Sequence, residues 1–151
     1  MRPLALSCVH LRSLALACAR LRSLVLAHAL LRSLALACAR IRALGVACDH
    51  LQMVAFACAH SRSLALACAS LRSFALACAR LRLLMLVCIR VSSLAPACAH
   101  LRSLALACAR LRSFALACAR SRSLALSCAR LRSYSCACGR MLPFAICYVC
   151  F

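Results

Sequence analysis

Pairs of arginines separated by one residue recur along the chain and are the residues best suited to chemistry. In an extended backbone, residues i and i+2 share a face, so both guanidinium groups of a pair would point the same way. The planar, permanently charged guanidinium group suits phosphate binding. The spacing predicts a basic, anion-binding stripe. Its members are Arg20, Arg22, Arg40, Arg42, Arg80, Arg82, Arg110, Arg112, Arg120, Arg122, Arg130 and Arg132.

A Cys-x-His motif also recurs, and two copies brought together would offer two thiolates and two imidazoles to a metal. The best case is the consecutive couple Cys48/His50 and Cys58/His60. Zinc sites favour two to four residues between paired cysteines and three to five between paired histidines, spacings that this segment lacks. The alternative is that each His is a variant of the Arg that usually occupies its place.

The C-terminal region offers a second candidate metal set. Cys136 and Cys138 are followed by Cys147 and Cys150, and four thiolates can hold one tetrahedral metal ion. Cys138 also belongs to the regular spacing of cysteines along the chain, so the alternative is an apolar end with no ligand role. For both candidate sets we expect no metal, and we expect no other cofactor.

The sequence argues against an enzyme. Cys48, Asp49 and His50 are the only neighbouring thiol, carboxylate and imidazole, and adjacent residues of a strand point to different sides. Asp49 is the only acidic residue, lysine is absent, and the two glycines are too far apart for a phosphate-binding loop. We therefore predict no catalytic residues and no small-molecule substrate.

These residues lie in a tandem repeat of ten. The unit LRSLALACAR stands unaltered at 11–20, 31–40 and 101–110, and almost every other block of ten is an edited copy. Positions within the unit are numbered from 1 to 10 below. Residues 1–140 form the decapeptide array, and residues 141–151 form a divergent apolar tail.

A period of ten discriminates between helix and strand. Ten helical residues turn about 1000°, roughly 80° short of three full turns, so no apolar stripe would persist along a helix. The side-chain period of a strand is two, which divides ten. Leu, Ala and Arg nevertheless favour helices, so the alternative fold is all-α, with long helices.

The unit also divides into two fives, each with an apolar centre. Leu21 and Leu26 are such centres, and Ala19 and Leu24 precede them by two residues. This pattern resembles the pentapeptide-repeat family, whose unit is loosely A-(D/N)-L-x-x. The resemblance implies an all-β fold, a single right-handed β-solenoid of about twenty residues per coil, with both of those columns facing inward. Bulky residues such as Leu24 depart from the small residue typical of that column, and Arg or Ala mostly replaces Asp/Asn.

Charge limits the partners. The net charge is +19, with twenty Arg against one Asp, so phosphates, lipid headgroups or solvent ions must neutralise the chain. We expect non-specific binding to nucleic acid or to an anionic lipid surface, because only 5% of residues are aromatic and Gln52 is the only side-chain amide. Arg is too costly at the bilayer centre for the array to span a membrane. Self-association through the uncharged runs between arginines is also expected.

The substitutions that separate the units suggest a simpler origin. Arg→His, Leu→Pro and Ala→Asp each need one base change, and such changes fall on apolar and polar positions alike. A tandem repeat drifting as DNA would give this pattern. The first interpretation is therefore a translated, minisatellite-like reading frame without evolved activity, and the alternative is a non-enzymatic interaction module with a basic face. No feature of the sequence indicates a compartment.

Overall fold

The protein is all-β. This computed structural model describes the backbone of residues 4–141 and 144–148 and the side chains of residues 4–140. Two strands account for the described backbone: β1 spans Leu4–Met141 and β2 spans Phe144–Tyr148. The prediction of an all-β fold is confirmed, and the all-α alternative is wrong because the described backbone contains no helix.

Strand pairing follows an interval of twenty residues. β2 pairs in parallel with β1 in the register Leu124↔Phe144 to Cys128↔Tyr148, so paired residues are twenty apart. Within β1, side-chain hydrogen bonds also join residues twenty or twenty-one apart. The chain therefore returns beside itself after every two decapeptide units, and the start of the tail keeps the same interval. Among the described residues there is no helix long and apolar enough to cross a membrane.

Burial shows why ten residues form the repeating unit. From residue 21 to residue 130, positions 1, 4, 6 and 8 are buried in every unit. Positions 4, 6 and 8 alternate with exposed residues, as in a straight strand. Two outward residues then separate position 8 from position 1, and two more separate position 1 from position 4. Such pairs break the alternation, so each unit bends twice, around positions 9–10 and 2–3.

This pattern corrects one of the sequence expectations. The apolar centres Leu21 and Leu26 are buried, and so is bulky Leu24. The alanine column at position 9 was also expected to face inward, but Ala19 and Ala39 are exposed. The inward place is taken by position 8, usually Cys, because Leu, Leu and Cys at positions 4, 6 and 8 continue one strand alternation. The division into fives therefore predicts the inward positions 1, 4 and 6 correctly and position 9 incorrectly.

Large aromatic side chains fit the same core. Phe74 and Phe114 are among the largest fully buried side chains. Phe56 meets Phe74 edge to face, with ring centroids 5.8 Å apart. Phe114 stacks on Tyr134, one interval further along the chain, at 5.5 Å. Such ring pairs contribute about 0.5–1.5 kcal/mol beyond the apolar area they bury.

Serine at position 3 links successive passes of the chain. Its hydroxyl donates a hydrogen bond to the backbone carbonyl of position 2, twenty-one residues earlier, as in Ser103 to Arg82 at 3.0 Å and Ser133 to Arg112 at 2.9 Å. Eight serines make this bond: Ser33, Ser63, Ser73, Ser93, Ser103, Ser113, Ser123 and Ser133. The hydroxyls thus hold carbonyls at the bends, where the outward residues lie.

Four substitutions disturb the inward columns. Ser61 and Ser121 replace the usual apolar residue at position 1, and their buried hydroxyls have no hydrogen-bond partner. His28 replaces Cys at position 8; its Nδ1 lies 3.1 Å from the Cys8 carbonyl, whereas its buried Nε2 has no partner. Pro96 is buried at position 6 and has no N–H for pairing. Each leaves a polar group unmatched or removes a donor, which costs stability.

Returning an inward residue to the repeat should therefore stabilise the protein. We expect Ser61→Leu to raise the free energy of unfolding by about 1–3 kcal/mol, because it removes an unpaired buried hydroxyl and buries apolar surface. Ser92→Arg, which restores the repeat at an exposed position, is the matched control and should change stability by less than about 0.5 kcal/mol. Urea unfolding followed by circular dichroism measures both. Equal effects would contradict the inward assignment of position 1.

Candidate anion-binding groove

The twenty-residue interval sorts the basic residues into two sets. The junction between two units consists of position 10, position 1 and the next position 2. Alternate junctions lie one interval apart, so they align in two separate columns. The first column, called here the groove column, contains the junctions at 20–22, 40–42, 60–62, 80–82, 100–102 and 120–122. The second column contains the junctions at 10–12, 30–32, 50–52, 70–72, 90–92, 110–112 and 130–132.

A long groove runs along the first column. Its volume is about 1700 Å³. Position 1 side chains line it between two rows of basic residues. The basic lining residues are Arg20, Arg22, Arg40, Arg42, His60, Arg62, Arg80, Arg82, His100, Arg102, Arg120, Arg122 and Arg140. We call this surface the basic groove.

The predicted arginine stripe is therefore divided. Eight of its members line the basic groove: Arg20, Arg22, Arg40, Arg42, Arg80, Arg82, Arg120 and Arg122. The other four, Arg110, Arg112, Arg130 and Arg132, belong to the second column and are not among the groove residues. The sequence predicts a single stripe because the ten-residue repeat alone does not reveal that every other junction belongs to a separate column.

Sequence reasoning missed five basic residues of the groove. Arg62, Arg102 and Arg140 complete the rows, together with His60 and His100. They were overlooked because only complete Arg-x-Arg pairs were selected. Arg62 and Arg102 have a histidine as the other member of their pair. The twenty-residue spacing could have identified them, because these residues lie at multiples of twenty from arginines of the predicted stripe.

The two columns differ in how many of their residues at positions 10 and 2 are basic. In the groove column, every described residue at positions 10 and 2 is Arg or His. The second column has four neutral residues at those positions: Leu30, Gln52, Ser70 and Ser92. In that column the Nδ1 of His50 lies 2.9 Å from the hydroxyl oxygen of Ser70. The basic residues are thus continuous on one side only.

Electrostatics favour an external anion in the groove. Asp49, the only acidic side chain of the protein, does not line it; it lies beside Cys48 on a different surface. Parallel strands lie about 4.8 Å apart, so arginines of successive passes are neighbours and repel one another. A bound row of negative charges would relieve this repulsion. Phosphate oxygens can accept hydrogen bonds from guanidinium groups on both sides of the groove.

The first candidate metal set is not brought together. Cys48 and Cys58 are buried, whereas His50 and His60 are exposed, because the chain bends between positions 8 and 10. Cys48 and Cys58 are ten residues apart and so lie in different columns; His60 faces the basic groove and His50 contacts Ser70. The expected sharing of one face by i and i+2 is wrong at this bend.

The second candidate set is described only in part. The Sγ atoms of Cys136 and Cys138 lie 3.1 Å apart. The backbone of Cys147 pairs with Ser127, but its side chain and the whole of Cys150 lie outside the described residues. Over the side chains of residues 4–140, no group of three or more His, Cys, Asp or Glu residues is placed to hold a metal ion.

The cysteines at position 8 form two buried ladders. One ladder contains Cys48, Cys68, Cys88, Cys108 and Cys128, and the other contains Cys38, Cys58, Cys78, Cys98 and Cys118. Within the ladders, short sulfur–sulfur contacts join Cys58 to Cys78, at 2.8 Å, and Cys68 to Cys88, at 3.2 Å. Desolvation, together with the nearby Cys88 and Asp49, raises the pKa of Cys48 to about 11. We call these two columns the thiol ladders.

Comparison with protein-family profiles, with curated proteins and with solved structures finds no match to this chain.

The raised pKa of Cys48 predicts a loss of stability in alkali. A thiol whose pKa is higher in the folded state holds its proton more tightly when folded, so its contribution is complete below pH 9 and is lost as pH rises towards 11. We expect this residue to account for roughly 2–3 kcal/mol of that loss. Urea unfolding from pH 8 to 11 under reducing conditions tests it. The Cys48→Ala variant should show a shallower decline, and an unchanged decline would contradict this assignment.

Proposed function

We propose that the chain is a β-solenoid with two decapeptide units per coil. The support is the parallel register of twenty residues, together with a buried set of four residues in each unit. The likeness to pentapeptide-repeat proteins then extends to the length of the coil but only partly to the inward residues, because Cys at position 8 replaces Ala at position 9. In this proposal the basic groove runs along the solenoid axis.

We further propose that the protein is a non-enzymatic module that binds nucleic acid in the basic groove without reading its sequence. The observation that carries this proposal is the unbroken double row of Arg and His along one column of junctions. A groove of about 1700 Å³ exceeds the roughly 300–1,000 Å³ of a small-molecule pocket, and its length suits a polymer. Its shape also favours a linear chain over a flat lipid surface.

The spacing of charges fits a phosphodiester backbone. From residue 20 to residue 140 the groove crosses seven levels, which at about 4.8 Å per level gives a length of roughly 30 Å. A stacked strand carries one phosphate per ~3.4 Å, so the groove would cover about nine nucleotides. Eleven arginines line this length, enough to contact each of those phosphates. Base recognition is not expected, because aromatic and amide side chains are missing from the groove lining.

Two quadruple variants of equal charge separate groove binding from general attraction. One variant replaces Arg40, Arg42, Arg80 and Arg82 by Gln in the groove, and the other replaces the second-column residues Arg110, Arg112, Arg130 and Arg132 by Gln. Fluorescence anisotropy with labelled single-stranded DNA is measured between 50 and 200 mM salt. We expect the groove variant to lose about 2–3 units of the slope of log K against log salt, at about 0.7 per lost phosphate contact, and the control to lose less than one.

Other outcomes would redirect or remove the proposal. Equal losses in the two variants would show that net charge alone attracts the nucleic acid. Unequal binding of poly(dA) and poly(dT) of equal length would contradict recognition through the backbone. Sedimentation with anionic vesicles, without binding to single-stranded DNA, would favour a membrane surface as partner. If neither polyanion depends on the groove, the repeat without evolved activity becomes the better interpretation.

A further inference from the structure

The thiol ladders offer a chemistry that anion binding does not use. Sixteen cysteines occur in the chain, and all fourteen whose side chains are described are free thiols. In each ladder a cysteine lies beside the one twenty residues away. The close pairs fall in the middle of the array, between residues 58 and 88.

Distance makes two of these pairs suitable for a covalent bond. The sulfurs of Cys58 and Cys78 are 2.8 Å apart, and those of Cys68 and Cys88 are 3.2 Å apart, against about 2.05 Å in a disulfide. Parallel neighbouring strands place backbones about 4.8 Å apart, which falls within the usual 4.4–6.8 Å between the Cα atoms of a disulfide. Closing the bond therefore needs a small movement of the two sulfurs and no rearrangement of the strands.

The cysteines of these pairs are also somewhat less deeply covered than most leucines of the core. The four cysteines of these pairs are 4–8% exposed, whereas the leucines Leu71, Leu81 and Leu84 are 1–2% exposed. Alanines mostly occupy the exposed places on either side of a ladder, at positions 7 and 9. Shallow depressions lined by them reach the ladders, as at Ala77, Cys78 and Ala79. A small reagent therefore meets little side-chain cover above the sulfurs.

We propose that Cys58–Cys78 and Cys68–Cys88 are oxidation sites, at which a low-molecular-weight disulfide converts neighbouring thiols into covalent links between successive passes of the chain. The links form within one ladder and never between the two. Each closes a loop from one pass to the next, so the middle of the array becomes cross-linked while its strand pairing stays unchanged.

The reaction is a pair of thiol–disulfide exchanges. In one of the two possible orders, the thiolate of Cys88 attacks one sulfur of the small disulfide, its S–S bond breaks, and one small thiolate leaves. The thiolate of Cys68 then attacks the sulfur of Cys88 in the mixed disulfide and releases the second small thiolate. Two protein thiols are oxidised, one small disulfide is reduced to two thiols, and the two protons released by the cysteines pass to the leaving thiolates.

The short contact within each pair couples the titration of its two thiols. The bond from Cys68 lowers the pKa of Cys88, and the same contact, with desolvation, raises the pKa of Cys68. In the other pair the bond from Cys78 lowers the pKa of Cys58. Since the thiolate is the nucleophile and either sulfur of a pair can donate its S–H to the other, either cysteine of a pair can react first.

Peptide mapping of the full-length protein tests the proposal. The folded chain is incubated with oxidised glutathione, alkylated and digested with trypsin without reduction. Cys68 lies in the peptide SLALACASLR, residues 63–72, and Cys88 in LLMLVCIR, residues 83–90, and each sequence occurs only once. We expect these two peptides to be recovered joined. A link between LLMLVCIR and SFALACAR, the peptide of Cys78 and Cys118, would contradict the ladders, as would recovery of both cysteines alkylated.

The second pair needs variants because Cys78 and Cys118 lie in identical peptides. Residues 43–62 contain both Cys48 and Cys58, so the link between this peptide and SFALACAR should persist in Cys118→Ser and in Cys48→Ser and disappear in Cys78→Ser and in Cys58→Ser. Oxidation should also raise the Tm by roughly 5–10 °C for each link, since each closes a loop of about twenty residues. That increase should shrink in the double variant Cys68→Ser, Cys88→Ser. An unchanged Tm on oxidation would show that the links strain the strands and would overturn the proposal that pairing is preserved.

Discussion

Burial of four residues in every ten, at positions 1, 4, 6 and 8, is the constraint on which the rest of the structure depends. These side chains are apolar or Cys at almost every described unit, and they make up one continuous core. A straight strand could not bury them all, because its sides alternate. Two pairs of consecutive outward residues in each unit bend the chain, and the bends return it beside itself after twenty residues. The arginine rows, the serine hydrogen bonds and the thiol ladders are consequences of that return.

The same constraint explains how a chain with nineteen net positive charges can be compact. Arginines occupy positions 10 and 2, on the outward side of the bends, where solvent and counterions screen them. Serine at position 3 satisfies the carbonyl of position 2 at the same bend. The repulsion within each row is concentrated where an external polyanion can reach it. Folding and the proposed anion binding thus use separate positions of one short unit.

Part of this architecture could be predicted from the sequence. The period of ten favoured a strand over a regular helix, because the side-chain period of a strand divides ten, although the residue types kept an all-α alternative open. The division into fives placed the Leu positions inward correctly and the Ala position incorrectly. An inward set with Ala at position 9 and one with Cys at position 8 both bury the apolar residues at positions 1, 4 and 6. The choice between them depends on where the chain bends, which the residue types alone do not reveal. The division of arginines into two columns, and the serine bonds to carbonyls, need the register between passes.

The substitutions that separate the units are distributed unevenly between the two columns of junctions. Losses of Arg to neutral residues, such as Leu30 and Ser70, fall in the second column of the described junctions, while the groove column keeps Arg or His throughout. On the inward side, Ser61 and Ser121 weaken the core without interrupting it. Tandem copying of the DNA would produce both columns, and basic residues persist in the groove column. That asymmetry supports the groove as the surface with a role.

The most direct measurement of the central claim is a nuclear Overhauser experiment between the rings of Phe114 and Tyr134. Parallel return after twenty residues stacks these rings with centroids 5.5 Å apart. With isotope-labelled Phe and Tyr in soluble, reduced protein, we expect cross-peaks between the two rings, assigned by their disappearance in Phe114→Leu. A helix would hold residues twenty apart at about 30 Å. Absence of the cross-peak, with Tyr134 in contact only with residues near it in sequence, would contradict the account.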